Sequence, residues 1–358
     1  MAGLNSLSIS YLRNIVSAQI TLHPQMNVIV GANGSGKTSL LEAIYLLGMG
    51  RSFRTRLIKQ VISFEQTDLT VTGELLNATH LGIHRALTGA LQIKINGTPY
   101  FSAADLATVL PVHYLNPEIY QLLDGGPSGR RQFLDWGVFH MEHEFYEQWK
   151  ALNRILKQRN QALRSGCPDM EVALWDASLV ACAEAIDQWR QQYVEQYKPL
   201  FVAHCRRLLQ IEEISFCYQR GWPEDAGLIE VLKQQLSRDR MRGYTGRGPH
   251  RAELLWTVAG IPAKDVLSRG QQKMLLLAMK LAQEQLLQQQ TMKKSLFLLD
   301  DVASELDRAH LAILLAELKG LQSQVFLTST DQNDDLLRSH LAAHQMFHME
   351  QGKVTAVL

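Results

Sequence analysis

A glycine-rich loop between an apolar segment and a helix-forming segment constrains the fold of this chain more than any other feature. The loop runs from Gly31 to Thr38 and has the form GxxxxGK[ST]. Val28-Ile29-Val30 precede it and predict a buried strand, and good helix formers follow. Loop N–H groups and the helix dipole would both face an anion, so we predict a nucleotide-phosphate site. Its expected residues are Gly31, Ala32, Asn33, Gly34, Ser35, Gly36, Lys37, Thr38 and Ser39.

A second motif near the other end of the chain supplies the expected metal ligand. The apolar run 296–299 predicts a buried parallel strand that delivers Asp300 to a sheet edge. Lys37 would then reach the β- and γ-phosphates, while Thr38 and Asp300 hold Mg²⁺. Asp301 follows directly, where a carboxylate can orient an attacking water. We therefore predict catalytic roles for Lys37, Asp300 and Asp301, with ATP and Mg²⁺ as cofactors; the alternative for Asp300 is a capping carboxylate on a core strand.

A serine-glycine segment shortly before the second motif indicates the class of ATPase. A serine and a glycine at a helix start offer a hydroxyl and free N–H groups to an anion, yet the phosphates of the same chain already lie on the first loop. In the ATP-binding-cassette superfamily such a segment binds nucleotide held by a second subunit, so dimerisation depends on ATP. An ordinary capped helix is the alternative. The residues concerned are Ser268, Arg269, Gly270 and Gln271, and the segment 304–307 resembles the superfamily's D-loop, with Ser304 and Asp307 expected to touch the opposite site.

Composition excludes some classes and leaves others open. The formal net charge of the 358 residues is +1, so a nucleic-acid role has to come from local clusters of charge. The sequence has no basic segment followed by an apolar run at its start and no apolar stretch of about 18 residues, which argues against secretion or a membrane span. The four cysteines include no CxxC pair, which favours a reducing compartment. We expect a cytoplasmic, nucleoid-associated protein.

The order of strand and helix patterns predicts an α/β protein. We expect an ABC-type P-loop ATPase head, with mixed β-sheets and flanking helices, assembled from both ends of the chain (1–110 and 245–358). A mainly helical lobe, 111–244, is expected to be inserted in the middle. A hairpin turn is expected at Asn96-Gly97 after the strand 91–95.

Three further stretches, together with the motifs above, resemble the RecF family of DNA replication and repair proteins. They are 117–135, with Arg130-Arg131-Gln132-Phe133-Leu134-Asp135 at its end; Gly248-Pro249-His250-Arg251; and 299–307. The likeness covers essentially the whole chain, including Arg13-Asn14 and the segment 50–54. RecF proteins resemble the heads of SMC proteins without the long coiled coil, and the middle of this chain shows no sustained heptads.

The resemblance implies an ATP-driven dimer that binds DNA at single-stranded gaps. With RecO and RecR it would promote loading of RecA, and slow hydrolysis of ATP would reset it. A weak ATPase stimulated by DNA is the implied activity.

Two basic clusters give separate support for DNA binding. From Lys150 to Arg164 there are basic residues and no acidic one, and four of them share a helical face opposite Leu152, Ile155 and Leu156. The second cluster is interrupted only by Asp239, and for either cluster the alternative is a solvated helix face. The candidate DNA contacts are Arg130, Arg131, Lys150, Arg154, Lys157 and Arg164, of which the first two are equally suited to an internal salt bridge; the second cluster is Arg238, Arg240, Arg242, Arg247 and Arg251.

Two departures from the wider cassette pattern bear on the mechanism. Asp301 replaces the glutamate of transport cassettes and is one methylene shorter, which predicts slow turnover. The strand 325–327 runs into Thr328-Ser329-Thr330-Asp331, where many cassettes carry a switch histidine. Arg51 or Arg54 could compensate by contacting phosphate.

Two other classes of protein share part of this pattern. The ATPase subunit of an ABC transporter would carry all three nucleotide motifs, but the long segment between Lys37 and Ser268 and its basic helix argue against it. A cytosolic P-loop kinase would have no use for Ser268 and Gly270.

Overall fold

Residues 3–115, 121–301, 306–330 and 344–357 are described in the computed structural model. The chain divides into two compact units. Unit 1 comprises Met1–Ile119 and Met292–Leu358, and unit 2 comprises Tyr120–Thr291. The prediction that one domain is built from both chain ends is confirmed.

The N-terminal part of unit 1 begins with three strands and the helix that follows the glycine loop. These are β1 (Leu4–Leu12), β2 (Ile15–Thr21), β3 (Met26–Val30) and α1 (Lys37–Met49). All five residues of β3 are buried, as expected for a strand covered on both faces. The elements after them are β4 (Asp68–Leu75), β5 (His80–Ala86), β6 (Leu91–Ile95), β7 (Thr98–Tyr100), α2 (Ala103–Val109) and β8 (Val112–Leu115).

Unit 2 is mainly helical. Its helices are α3 (Gln121–Asp124), α4 (Pro127–Met141), α5 (Phe145–Arg164), α6 (Asp169–Ala173), α7 (Asp176–Leu209), α8 (Leu228–Arg242), α9 (Ala263–Val266) and α10 (Arg269–Thr291). A small antiparallel sheet of β9 (Ile214–Gln219), β10 (Glu253–Val258) and β11 (Ile261–Pro262) lies among them. The long helix α7 packs against both α5 and α10.

The chain then returns to unit 1 and completes its parallel sheet. The returning elements are β12 (Leu296–Leu299), α11 (Arg308–Leu321), β13 (Gln324–Ser329), β14 (Gln345–Glu350) and β15 (Lys353–Val357). Among the described residues, one sheet has the order β15-β14-β3-β13-β12-β8, in which all neighbours from β14 to β8 are parallel. A second, antiparallel sheet has the order β2-β1-β4-β5-β6-β7.

The strand order explains why the two phosphate motifs meet. β13 lies between β3 and β12 and is parallel to both, so the carboxyl ends of all three strands reach the same sheet edge. α1 packs against strands of both sheets, and its buried residues join one apolar core with β1, β4 and β5. The glycine loop and Asp300 are therefore held at the edge of a packed core rather than on long flexible loops.

The predicted domain boundaries differ from the compact units. Residues 245–291 were assigned to the head, but β10 pairs with β9 and α10 packs against α7, which places this segment in unit 2. Residues 111–115 were assigned to the inserted lobe, but they form β8, which pairs with β12 in unit 1. The sequence also did not predict β9, because its six residues lie between two long helices and the surrounding pattern is helical.

Within the described ranges, no helix is both long and apolar enough to cross a membrane.

Candidate functional site

The glycine loop has a backbone that side chains would obstruct. Gly34 and Gly36 have φ of 79° and 116°, in the left-handed region that favours glycine. A Cβ on Gly36 would lie 2.8 Å from Met349 Cε and 2.9 Å from Asn14 Nδ2. Ser35 Oγ is buried and has no hydrogen-bond partner among the described residues. A buried hydroxyl without a partner is costly, which is consistent with a polar ligand in this loop.

The start of α1 is left open to an anion. No side chain caps the helix at Gly36, and its first turn contains no acidic residue. The Nζ of Lys37 is buried against the loop and donates to the backbone oxygens of Gly31 (2.8 Å) and Ala32 (3.1 Å). Uncapped N–H groups, the helix dipole and a nearby ammonium fit a phosphate group.

Asp300 brings the second motif to this loop. Its Oδ1 accepts hydrogen bonds from Thr38 Oγ1 (3.1 Å) and Thr328 Oγ1 (3.0 Å), and its Oδ2 accepts one from Tyr114 Oη (3.2 Å). Burial raises the pKa of Asp300; the bonds from Thr328 and Thr38 oppose that rise, while the charge of Asp301 adds to it. A buried carboxylate beside a threonine hydroxyl offers the oxygen ligands that Mg²⁺ prefers.

Thr328 connects the two carboxylates at the end of β13. Its hydroxyl donates to Asp300, and it accepts a hydrogen bond from the backbone N–H of Asp301 at 2.8 Å. Asp301 has a φ of 51°, so this bond holds it in a conformation that few non-glycine residues adopt. Sequence reasoning noted only that this segment lacks a histidine. The signal it missed is a threonine at the carboxyl end of a buried strand adjacent to β12.

Arg13 and Asn14 support the loop and α1 from behind. Arg13 donates to both carboxylate oxygens of Glu42, at 2.8 Å each, and Glu42 also accepts a hydrogen bond from Ser52. Asn14 Nδ2 donates to the backbone oxygen of Ser35 (3.1 Å), and its Oδ1 accepts from Ser39 Oγ (3.0 Å). Ser39, predicted to bind nucleotide, is buried in its contact with Asn14. Arg13 and Asn14 therefore affect the site indirectly, by holding α1 and the glycine loop in position.

An aromatic cluster that includes Tyr114 lies beside the Oδ2 atom of Asp300. The rings of Phe53 and Tyr114 are stacked with centroids 3.7 Å apart, and Tyr45 contacts both. Burial and the neighbouring Asp300 raise the pKa of Tyr114 far above its usual range, so its hydroxyl stays protonated and can donate. Arg54 lies near enough to oppose that shift electrostatically. Phe53 and Arg54, which belong to a segment singled out in the sequence, therefore border the site.

The segment Ser268 to Gln271 forms a reciprocal cap on α10. Gln271 N–H donates to Ser268 Oγ (3.3 Å), and Ser268 N–H donates to Gln271 Oε1 (3.0 Å). Ser268, Arg269 and Gly270 are nevertheless exposed, and Arg269 pairs with Asp124 at 2.9 Å. The segment therefore caps α10 as in an ordinary helix, and the exposed start of α10 also remains accessible to a ligand.

The predicted D-loop is described only at its end. Ser304 lies outside the described residues. Asp307 caps α11, because its Oδ1 accepts from the backbone N–H of His310 at 2.9 Å. Hydrogen bonds from His310 lower the pKa of Asp307.

The basic face of α5 is exposed, as the sequence predicted. Arg154, Lys157 and Arg164 are exposed and Lys150 is half-exposed, while Leu152 and Leu156 are buried. The remaining basic residue of the helix, Arg159, is fully buried: it pairs with Asp176 (2.8 Å) and Asp239 (3.0 Å).

The second basic cluster adjoins the first. Arg164 Nη1 donates to the backbone oxygen of Gly243 at 3.3 Å, which places the end of α5 beside the end of α8. Arg242, Arg247 and Arg251 are exposed nearby in sequence, and Arg251 lies over the ring of Tyr244 at 4.8 Å. The two stretches that the sequence separated therefore form neighbouring parts of one basic surface in unit 2.

Arg130 is a salt-bridge residue. Its Nε and Nη2 donate to the two carboxylate oxygens of Glu253, at 2.6 and 2.8 Å, and Nη1 donates to the backbone oxygen of Gly125. Arg131 Nη1 donates to the backbone oxygen of Ala252 at 3.0 Å. Arg130 therefore forms an internal salt bridge rather than a DNA contact. Its guanidinium already has hydrogen-bond partners on both edges, so few N–H groups remain to bind a phosphate.

The Gly248 to Arg251 stretch is joined to the Arg130 to Asp135 stretch through a buried arginine. Arg190 donates to Asp135 Oδ1 (2.7 Å) and to the backbone oxygen of Pro249 (2.8 Å). His250 Nε2 bonds the backbone oxygen of Thr245 at 2.9 Å. Burial lowers the pKa of His250 to about 4. These motifs build the interior of unit 2.

The fold and the loop define the class of protein. The family described as RecF/RecN/SMC N terminal domain matches residues 3–355. A solved SMC head bound to the C-winged helix domain of ScpA covers 99% of this chain and 97% of its own, with a TM-score of 0.60 at 16% identity. Unit 1 with its parallel sheet, glycine loop and Asp300 is an ABC-type ATPase head fold.

The more specific matches are to RecF proteins. The DNA replication and repair protein RecF of Shewanella sp. (strain W3-18-1) is 42% identical over 99% of both chains. A solved structure of the recombination mediator protein RecF with ATP, in the RecFOR pathway, has a TM-score of 0.89 at 25% identity and covers 99% of this chain and 98% of its own. The chain belongs to the RecF family.

Proposed function

We propose that this protein is an ATP-controlled DNA-binding protein of DNA replication and recombinational repair. The observation that carries the proposal is the 3.1 Å hydrogen bond between Thr38 Oγ1 and Asp300 Oδ1, which unites motifs from opposite ends of the chain in one site. The relatives named as DNA replication and repair proteins, and a RecF structure containing ATP, support it.

ATP and Mg²⁺ fit the residues present. The glycine loop, the open start of α1 and Lys37 would hold the phosphates, while Thr38 and Asp300 would hold the metal. Bound Mg²⁺ would supply positive charge that offsets charge developing on the phosphates. Asp301, fixed by Thr328, would orient water, and its short side chain supports slow turnover.

ATP would also join two copies of the chain. The exposed tip of α10, with Ser268 and Gly270, would bind the nucleotide held by the second copy. Asp307, with Ser304, would serve the opposite site. The dimer would bind gapped DNA through the basic surface of unit 2 and cooperate with RecO and RecR in loading RecA, as the RecFOR context of the solved relative suggests.

Sedimentation with and without ATP, using gapped and duplex DNA across a salt series, tests this proposal. We expect an ATP-dependent dimer whose DNA affinity falls steeply with salt, because phosphate contacts release counterions. Lys37→Ala should lose nucleotide binding. Asp301→Asn should keep binding, stall hydrolysis and trap the dimer.

Ser268→Arg separates the two roles of ATP. It should leave nucleotide binding by the monomer intact and block dimerisation, since bulk and charge would occupy the place of the partner's phosphate. If this variant still dimerises with ATP, the assignment of Ser268 to the partner's nucleotide is wrong. If the unchanged protein stays monomeric with ATP and DNA both present, the proposed function fails.

A further inference from the structure

One exposed stripe on α5 combines aromatic rings with cations. The α5 stripe consists of Tyr146, Trp149, Lys150, Asn153, Lys157 and Arg164, which recur at helical spacing along one side of the helix. Trp149 is 39% exposed although large aromatic side chains are usually covered. The stripe extends over about 22 Å from Trp149 to Arg164 at the usual helical rise.

Two aromatic rings at the start of the stripe share one orientation. The rings of Tyr146 and Trp149 are nearly parallel, with an angle of 11° between their planes and centroids 6.4 Å apart. Phe139 supports Tyr146 edge-on, and Lys150 Nζ lies 4.8 Å from the centre of the Tyr146 ring. Asn153 donates to the backbone oxygen of Trp149 at 2.7 Å, within the same turn. Two rings with a common orientation offer a face on which another planar group can stack.

The rest of the stripe carries uncommitted positive charge. Neither Lys157 nor the flanking Arg154 has a carboxylate within ion-pair distance in the part of the chain that the structure describes. Lys150 pairs with Glu147 at 2.7 Å, but both side chains are substantially exposed, so this pair costs little to break. Arg164 contacts the backbone oxygen of Gly243, so the positive charge of the stripe adjoins that of the second basic cluster.

We propose that the α5 stripe binds single-stranded DNA, with unpaired bases stacked on Trp149 and Tyr146 and the phosphates following Lys150, Lys157 and Arg164. The proposal rests on the proposed DNA-binding function and specifies the form of DNA bound at this surface. Charge alone would suit a duplex equally well. The exposed rings decide between them, because a duplex hides the faces of its bases whereas a single strand presents them.

The deciding test compares an ordinary oligonucleotide with one whose central nucleotides lack bases. The unchanged protein should bind the ordinary strand about 5- to 150-fold more tightly for each stacked base, as expected for loss of stacking. Trp149→Ala should lose most of this preference, leave duplex affinity unchanged and keep the salt dependence of the unchanged protein. Trp149→Phe should restore most of the preference. Phe101→Ala, which removes a 98% exposed ring elsewhere, is the matched control and should change nothing.

The charged part of the stripe has its own readout. Lys157→Ala should lower the slope of log affinity against log salt by about 0.7 for a single strand while keeping the preference for bases. Circular dichroism on each variant guards against a folding defect. Equal binding of both strands by the unchanged protein, or an equal loss of duplex and single-strand affinity in Trp149→Ala, would overturn the stacking site and leave DNA binding itself standing. Absence of all DNA binding would instead refute the proposed function.

Discussion

Replacing Arg159 by methionine should destabilise unit 2 by about 2 kcal/mol. Its guanidinium is wholly buried and donates to Asp176 (2.8 Å), Asp239 (3.0 Å) and Thr245 Oγ1 (2.9 Å). Methionine fills similar space but leaves two buried carboxylates without their cation. Breaking a buried pair from one side costs about 3–5 kcal/mol.

A second effect opposes that loss. Arg159 Nη2 is buried and has no hydrogen-bond partner within the described ranges, a cost of about 1–3 kcal/mol that the substitution removes. Asp239 also keeps one contact, since its Oδ1 accepts from Gly246 N–H at 2.9 Å. Taking the middle of each range, the net loss should be about 2 kcal/mol, and loss of the charge remains the larger effect.

Urea unfolding followed by far-ultraviolet circular dichroism measures the change. For a loss of about 2 kcal/mol the midpoint of the helical transition should fall by about 1 M, given ordinary urea sensitivity. Arg154→Met is the matched control, because it removes an exposed arginine from the same helix and should shift stability by about 0.5 kcal/mol at most. If the two variants unfold at the same midpoint, the buried network does not stabilise unit 2.

Three further variants probe the sites. Tyr114→Phe removes a hydrogen bond to Asp300 but keeps the aromatic ring. Nucleotide binding should survive, while the Mg²⁺ concentration for half-maximal ATPase activity rises by about 5-fold for a bond of about 1 kcal/mol; an unchanged Mg²⁺ requirement would contradict this. Gly36→Ala should abolish ATP binding measured by calorimetry, because its φ of 116° and its close contacts exclude a Cβ; wild-type affinity would refute that. Because His250 has a pKa lowered from 6.5 to about 4, the unfolded state binds its proton first and stability is lost as pH falls across that interval. His250→Gln should therefore lose less thermal stability than the unchanged protein between pH 6.5 and 4, and parallel losses would be inconsistent with a buried neutral imidazole.

The nucleotide motifs could be predicted from sequence because their chemistry is local. The loop has its glycines, lysine and threonine within the eight consecutive residues Gly31 to Thr38, and the apolar strand before Asp300 places that carboxylate at the sheet edge. Tyr114 and Thr328 could not be found in this way. Each contacts Asp300 only because β8 and β13 flank β12, and strand order is set by tertiary packing.

The basic clusters illustrate a different limit of sequence reasoning. Helical spacing separated the exposed face of α5 from its apolar face, and the structure agrees for Lys157 and Leu156. Helical spacing gave no role to Arg159, which is buried between two carboxylates. Whether an arginine binds a phosphate or an internal aspartate depends on what folds against it, and those partners lie far away in sequence.

The network around Arg159 also explains how the two basic clusters come to share a surface. Asp239 lies in the last turn of α8, and Thr245 lies between Arg242 and Arg247 of the second cluster. Both accept hydrogen bonds from Arg159, and Thr245 Oγ1 also donates to Asn160 Oδ1 on α5 at 2.8 Å. A buried charge group is an expensive way to hold a helix, so its presence at this junction favours a role in fixing geometry over one in adding stability. Arg159→Met should then weaken binding of a duplex long enough to contact both clusters more than binding of a short single strand that contacts α5 alone. Equal weakening for both ligands would show that the network serves the folding of unit 2 and nothing more.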